Sequence, residues 1–347
     1  MRNCALVCAA AVLAFACAAS ATTIYVHWDG SGDYQAIQDG IDAAAEGDTV
    51  LVAAGTYSGL GNRHLTFDGI NRVVMSEDGP LSTTIDCSSA DCGFYLNNSG
   101  ENSTSVIDGF SIINGIGQSN GGGILAVGAT PTIRNCHFSF NTASNGAAIS
   151  VASTSTPMEI SNCLIHDNTA ANRAGGISLS VVDGATVISD CVIYDNVAST
   201  YPGGGIHLNG VADVTITGCT IVRNTGDSDS GALYLESSPA HAVQLTNTVL
   251  SLNSGPPATG WALDISHCLA FQNAGGDSLP GDYHDNLFTD PLFCNVGGDD
   301  FSLCADSPCL PGYNDWAELL GAYASGCPGC DSPVEASTWG CIKTLYR

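Results

Sequence analysis

The chain has 347 residues, 41 of them glycine, with 8 lysines and arginines against 34 aspartates and glutamates and a formal net charge of −26. So acidic a surface repels phosphate backbones and anionic lipid, which argues against nucleic-acid and membrane-surface partners. It also repels polyuronates unless calcium bridges the like charges.

Residues 1–21 read as a secretory signal, with Arg2, an apolar run over 5–18 and small residues at Ala19, Ser20 and Ala21 for cleavage. The apolar run is too short to span a bilayer comfortably, and no later stretch reads as transmembrane. The expected location is secreted or cell-surface, where disulfides are permitted.

Residues 22–60 read as an N-terminal cap: a strand from Thr23, a helix over 34–45, then an apolar strand over 48–57. The spacing puts Ile37, Ile41 and Ala44 on one helix face, with Asp33 as N-cap and Gly47 just past the end.

From 61 to 290 the chain repeats itself. Cys136, Cys163, Cys191 and Cys219 step by 27, 28 and 28 residues, and Asn141, Asn168, Asn196 and Asn224 follow them at a constant offset of 5. Weaker copies precede them at Gly109 and Asn114 and follow at Cys268 and Asn273. Glycine-led strands ending in Ile149, Ile177, Ile206 and Leu233 separate the copies. Apolar and polar residues alternate with period two, and Asn135, Asn162, Asp190 and Gly218, before the cysteines, are types that tolerate a left-handed corner. A fixed period in this range specifies a solenoid. The expected fold is all-β: a parallel coil of about eight turns rising ~4.8 Å each, with a helix-containing N-terminal cap and a disulfide-rich C-terminal cap over 291–330.

The Gly-Gly-x-Ile strands paired with Phe138, Phe140 and Asn141 resemble the repeats of polymorphic outer-membrane proteins. More broadly, the repeats over roughly 22–290 are similar to the right-handed β-helix, or pectin-lyase-like, superfamily. The N-terminal segment from Gly47-Asp48 to Gly55-Thr56-Tyr57 resembles the caps of that superfamily. The resemblance implies the fold and leaves activity open among lyases, hydrolases, esterases, adhesins and stalks. Paired aspartates with Gln and Arg, as in pectin methylesterases, are not found, nor is the His-Gly and Arg-Ile-Lys set of polygalacturonases. Arg134, Arg173 and Arg223 read as surface charges rather than one basic site. Gly117 to Gly121 matches a serine-nucleophile pattern but precedes a strand, so the match is accidental.

The cysteines beyond the signal form two classes. Cys136, Cys163, Cys191, Cys219 and Cys268 read as a structural ladder of inward thiols. Cys87 with Cys92, then Cys294, Cys304, Cys309 and Cys327, and finally Cys330 and Cys341 read as disulfide cysteines. A local Cys87–Cys92 bridge, a Cys309–Cys327 closure of the cap and a Cys330–Cys341 tie in the tail over 331–347 are expected. Cys327 and Cys330 have redox-motif spacing without the βαβ context that redox chemistry needs. The asparagine column, Asn114 through Asn273, reads as stacked amides.

Two candidate sites remain. Outward positions of the glycine-led strands run Leu125 and Val127, Ser150 and Ala152, Ser178 and Ser180, His207 and Asn209, then Tyr234 and Glu236. An aromatic ring beside imidazole, amide and carboxylate suits a sugar, so His207, Asn209, Tyr234 and Glu236 are the candidate glycan contacts. Asp227 and Asp229, and Asp299 and Asp300, are acidic turns with the hard oxygens calcium prefers, and no other cofactor is implied. The function expected is a non-catalytic binder of an extracellular glycan or cell-surface component, by adhesin or surface-layer analogy. The alternative is a polysaccharide lyase or glycoside hydrolase.

Overall fold

A computed structural model describes residues 21–97, 100–227, 230–237, 243–260, 263–280 and 285–328. Residues 1–20 of the expected signal segment, Asp229, Cys330, Cys341 and the tail over 331–347 lie outside these. Three parallel sheets run the length of the molecule, of ten, nine and seven strands. Strand follows strand around the axis, so a residue pairs with its repeat mate one coil on: Ile133 with Ile160, Ile160 with Ile188 and Ile188 with Ile216. About eight turns stack in this way.

The columns that fill the core are apolar, and each packs on its own repeat mates one coil away. Ile133, Ile160, Ile188 and Ile216 fill one corner of the core, and Phe138, Ile165, Ile193 and Ile221 another, all fully buried. Cys136, Cys163, Cys191, Cys219 and Cys268 are buried free thiols, as expected of the ladder. Each Sγ donates to the carbonyl two residues earlier; for Cys191 that is Ser189 at 3.2 Å. The residues before them do turn left-handed, with φ of 53° at Asn135, 51° at Asn162, 53° at Asp190 and 62° at Gly218.

The asparagine column is a continuous hydrogen-bonded ladder from Asn141 to Asn273. Each Nδ2 donates to the next Oδ1, at 3.0 Å from Asn141 to Asn168 and 2.9 Å from Asn168 to Asn196. Asn114 is not a rung. It occupies the left-handed position, φ 57°, that Phe140 fills one coil later at 58°. The ladder place falls to Gly115, whose N–H donates to Asn141 Oδ1 at 2.7 Å.

At the N-terminal end the helix is shorter than its periodicity suggests, Ile37–Ala43, with Ala36 at the N-cap position. Asp33 does not cap it, because its carboxylate accepts from the Tyr25 N–H at 2.9 Å. Asn62 Oδ1 takes the Ile37 N–H instead. Ile37, Ile41 and Ala44 are buried against Val26, Val50 and Val52, so the helix covers the core face of the first coils.

The C-terminal segment folds back against the flank of the second sheet. Its three-stranded sheet, Phe293–Asn295, Asp300–Cys304 and Ser325–Cys327, brings Phe293, Phe301 and Leu303 onto Val192, Tyr194, Val222, Val249 and Leu269 as a second core. Arg223 fastens it, bonding Asp195 on the coil and both Asp299 and the Val296 carbonyl on the segment. Cys327 pairs with Cys294, not Cys309. Cys309 is a free thiol inside the second core, and Cys304, also oxidised, sits with its Sγ 3.5 Å from that of Cys327. Cys87 and Cys92 are both free and buried. Cys87 belongs to the main core, whereas the Cys92 Sγ faces His64, so the local bridge is absent.

Candidate functional site

The third sheet has an outer face that a second layer partly roofs. Thr142–Asn145, Thr169–Arg173 and Val197–Ala198 form a short side sheet just before the glycine turns. The chain then turns sharply into Ile149–Thr154, Ile177–Val182 and Ile206–Val211. The turn needs glycine at Gly146, where φ is 55° and a Cβ would stand 2.4 Å from the Ile149 carbonyl. Side sheet and third sheet therefore meet as wall and floor.

The floor register is as the alternation implies: Leu125, Ser150, Ser178, His207 and Tyr234 form one column. The neighbouring column departs at its last member. Asn209 pairs with Ser237, not Glu236, because the strand Leu233–Ser237 bulges there. Ser237 Oγ donates to Asn209 Oδ1 at 2.6 Å, and Glu236 becomes the extra residue of the bulge.

Released from the ladder, the Glu236 carboxylate reaches back along the stack. Its Oε1 accepts from Arg173 Nη2 at 3.2 Å and its Oε2 lies 3.2 Å from His207 Nε2. Arg173, the last residue of its side-sheet strand, also lies over the Tyr201 ring at 4.9 Å. It shares a column with Asn145 and Asn120 on the preceding coils. Arg173 is thus a pocket residue and not a surface charge. Its position in an outward column gave no signal, since the wall that encloses it is visible only in three dimensions.

Asn145, Arg173, Ser150, Ser178, His207 and Asn209 line a pocket of about 170 Å³. Tyr234 stands behind His207, ring centroids 5.7 Å apart, and is not in the lining. His207 is 1 % exposed. Burial, then the charge of Arg173, pushes its imidazole down to about 4, so it is neutral at neutral pH. Buried polar atoms without a hydrogen-bond partner gather here: Asn145 Oδ1, Arg173 Nε, both ring nitrogens of His207 and Glu236 Oε2. The 3.2 Å contact of His207 with Glu236 is out of line for a hydrogen bond, and with the imidazole neutral it is not an ion pair.

The acidic turns look different. Asp299 turns its carboxylate to Arg223, and Asp300 accepts from the N–H and hydroxyl of Ser302. Asp227 holds a turn through its backbone, bonding Tyr201 and Ser230. Among the described residues, no group of three or more potential metal ligands includes Asp227, Asp299 or Asp300.

The pattern of a right handed beta helix region matches residues 81–255, half of the chain. The chain belongs to this family. Among solved structures, the β-helix is similar to the crystal structure of pectate lyase Pel9A, with a TM-score of 0.53 and 15% identity over 88% of this chain and 97% of that one. At that identity the likeness is one of fold. No curated protein matches the chain.

Proposed function

We propose that this β-helix is a secreted or cell-surface protein that binds an extracellular glycan through the third-sheet pocket without cleaving it. The observation that carries the reading is the convergence of buried, unpartnered donors and acceptors from Asn145, Arg173, His207 and Glu236. Leaving such atoms unpaired costs about 1–3 kcal/mol each. A sugar hydroxyl both donates and accepts, so a few hydroxyls on one ring can satisfy all four residues. A pocket of about 170 Å³ is below the roughly 300–1,000 Å³ of drug-sized sites and admits one ring at a time. Glu236 offsets the charge of Arg173, and the overall charge of −26 disfavours polyanions, so a neutral glycan fits best.

The second reading, a polysaccharide lyase or glycoside hydrolase, rests on the close Glu236–His207 pair. Hydrolysis of a glycoside ordinarily uses two carboxylates, and the pocket lining contains none beyond Glu236 reaching in from the next coil. Glycan-array binding followed by titration calorimetry tests the proposal. Arg173→Ala and His207→Ala should each weaken a hit at least about tenfold, the loss of one charged or buried polar contact. Normal binding by both variants removes the pocket as the site. Growth of reducing ends with the native protein, lost in Glu236→Gln, would replace binding with catalysis.

A further inference from the structure

Three donor atoms of different chemistry meet at the corner that opens the third sheet. The His64 backbone N–H donates to the Cys92 carbonyl at 2.7 Å, and Leu65 bridges in parallel to Phe94, so His64 falls opposite Gly93 of the next coil, with Asp91 and Cys92 just before it. His64 Nδ1 lies 3.1 Å from Asp91 Oδ1 and 4.0 Å from Cys92 Sγ. All three atoms lie within 4.8 Å of one another. The arrangement is held on each side. The imidazole stacks on Tyr95 with centroids 4.5 Å apart and planes at 22°, and Asp91 Oδ1 also accepts the Cys92 N–H at 2.8 Å.

We propose that His64, Asp91 and Cys92 form a binding site for one borderline-soft divalent transition-metal ion of the zinc class. A tetrahedral ion with bonds of about 2.0–2.3 Å separates its ligand atoms by roughly 3.3–3.8 Å. The observed 3.1 and 4.0 Å need adjustments of a few tenths of an ångström, and the third edge, Asp91 Oδ1 to Cys92 Sγ, lies within 4.8 Å and closes to the same range on binding. A thiolate with an imidazole selects zinc-like ions over calcium or magnesium, which take oxygen. The side chains of His64 and Asp91 are 44% and 46% exposed, so the fourth position opens to solvent. Binding breaks the S–H bond, forms the metal–sulfur bond and releases the proton to solvent. The ion would join two successive coils at the N-terminal end of the solenoid.

Co²⁺ titration of the full chain, dialysed against chelator without reductant, tests the site. One equivalent should bind, with a thiolate-to-cobalt charge-transfer band, net proton release and a raised melting temperature. His64→Ala and Asp91→Asn change half-exposed side chains and leave the fold intact, and each should weaken Co²⁺ at least about tenfold. Cys92→Ala should abolish the band, and Cys87→Ala should keep it. The proposal is overturned if the native protein shows no sulfur-to-cobalt band, or if His64→Ala and Asp91→Asn bind Co²⁺ as tightly as it does. Loss of the band in Cys87→Ala, or a Cys87–Cys92 disulfide found by mass spectrometry of the unreduced protein, overturns it equally.

Discussion

Removing one rung of the asparagine ladder should cost far more than an average polar substitution. Asn196 Oδ1 accepts from the N–H of Asn168 at 3.2 Å and from its Nδ2 at 2.9 Å. Its own Nδ2 donates to the carbonyls of Ile165 at 2.8 Å and Tyr194 at 3.0 Å, and to Asn224 Oδ1 at 3.0 Å. Asn196→Ala therefore strands the buried Asn168 N–H and takes a donor from the Ile165 carbonyl. At about 1–3 kcal/mol for each stranded group, plus a small cavity, the loss comes to roughly 3–5 kcal/mol. Asn196→Asp should be worse, because it sets a carboxylate against two carbonyls and an amide oxygen. Urea unfolding followed by circular dichroism measures this. Since coils couple only to neighbours, the transition should also broaden or split as the solenoid loses cooperativity near its middle. A midpoint within error of the native one would refute the reasoning, leaving the ladder as geometry without energetic weight.

Acid should weaken the fold through His207, which faces Arg173, Glu236 and Tyr234. Its folded pKa of about 4 lies below the unfolded value near 6.5. Its neutral form therefore stabilises the fold fully above pH 6.5, and that contribution, on the order of 3 kcal/mol, is lost as pH falls towards 4. Melting temperatures from pH 7 to 4 should fall less steeply for His207→Gln; identical slopes would contradict the shift. Arg223→Ala should release the C-terminal segment from Asp195, seen as faster hydrogen exchange over 293–304; unchanged exchange would show that the second core alone holds it. Cys191→Asp places a charge in a fully buried column and should prevent folding at ordinary temperature, whereas an unchanged melting temperature would deny that the ladder is inward.

The solenoid was legible because its constraints are local and repeated. A left-handed corner needs the same residue types at Asn135, Asn162 and Asp190, and an inward cysteine or isoleucine meets its own repeat mate one coil away. The flank packing also left a trace, though period two hides it. Val192–Tyr194 is buried at every position, and so is Thr220–Val222, which marks strands covered on both faces. The loop cysteines were less legible. Spacing alone puts Cys87 near Cys92, yet one thiol turns into the core and the other to His64. Within the pocket, the His207–Tyr234 neighbourhood follows from alternation, but the bulge at Glu236 does not. A single extra residue there changes which coil the carboxylate meets, and nothing in the order Leu233-Tyr-Leu-Glu-Ser237 announces it.

The columns themselves separate structure from function. Asparagine recurs on six successive coils and cysteine on five of the same six, with Thr248 standing in between Cys219 and Cys268, because an inward or corner position meets nearly the same neighbours at every turn. The outward columns have no such obligation, and two of them change character at adjacent places. Asn120 and Asn145 give way to Arg173 on the wall, while Ser150 and Ser178 give way to His207 on the floor. These changes enlarge and charge the side chains where a solenoid gains nothing from doing so. They also bury an arginine nitrogen and a histidine ring without partners, at a cost that the Glu236 carboxylate offsets only in part. Polar atoms kept unpaired beneath a wall are poor packing and good recognition, and for that reason the pocket, rather than either repeated ladder, is where a ligand should be sought.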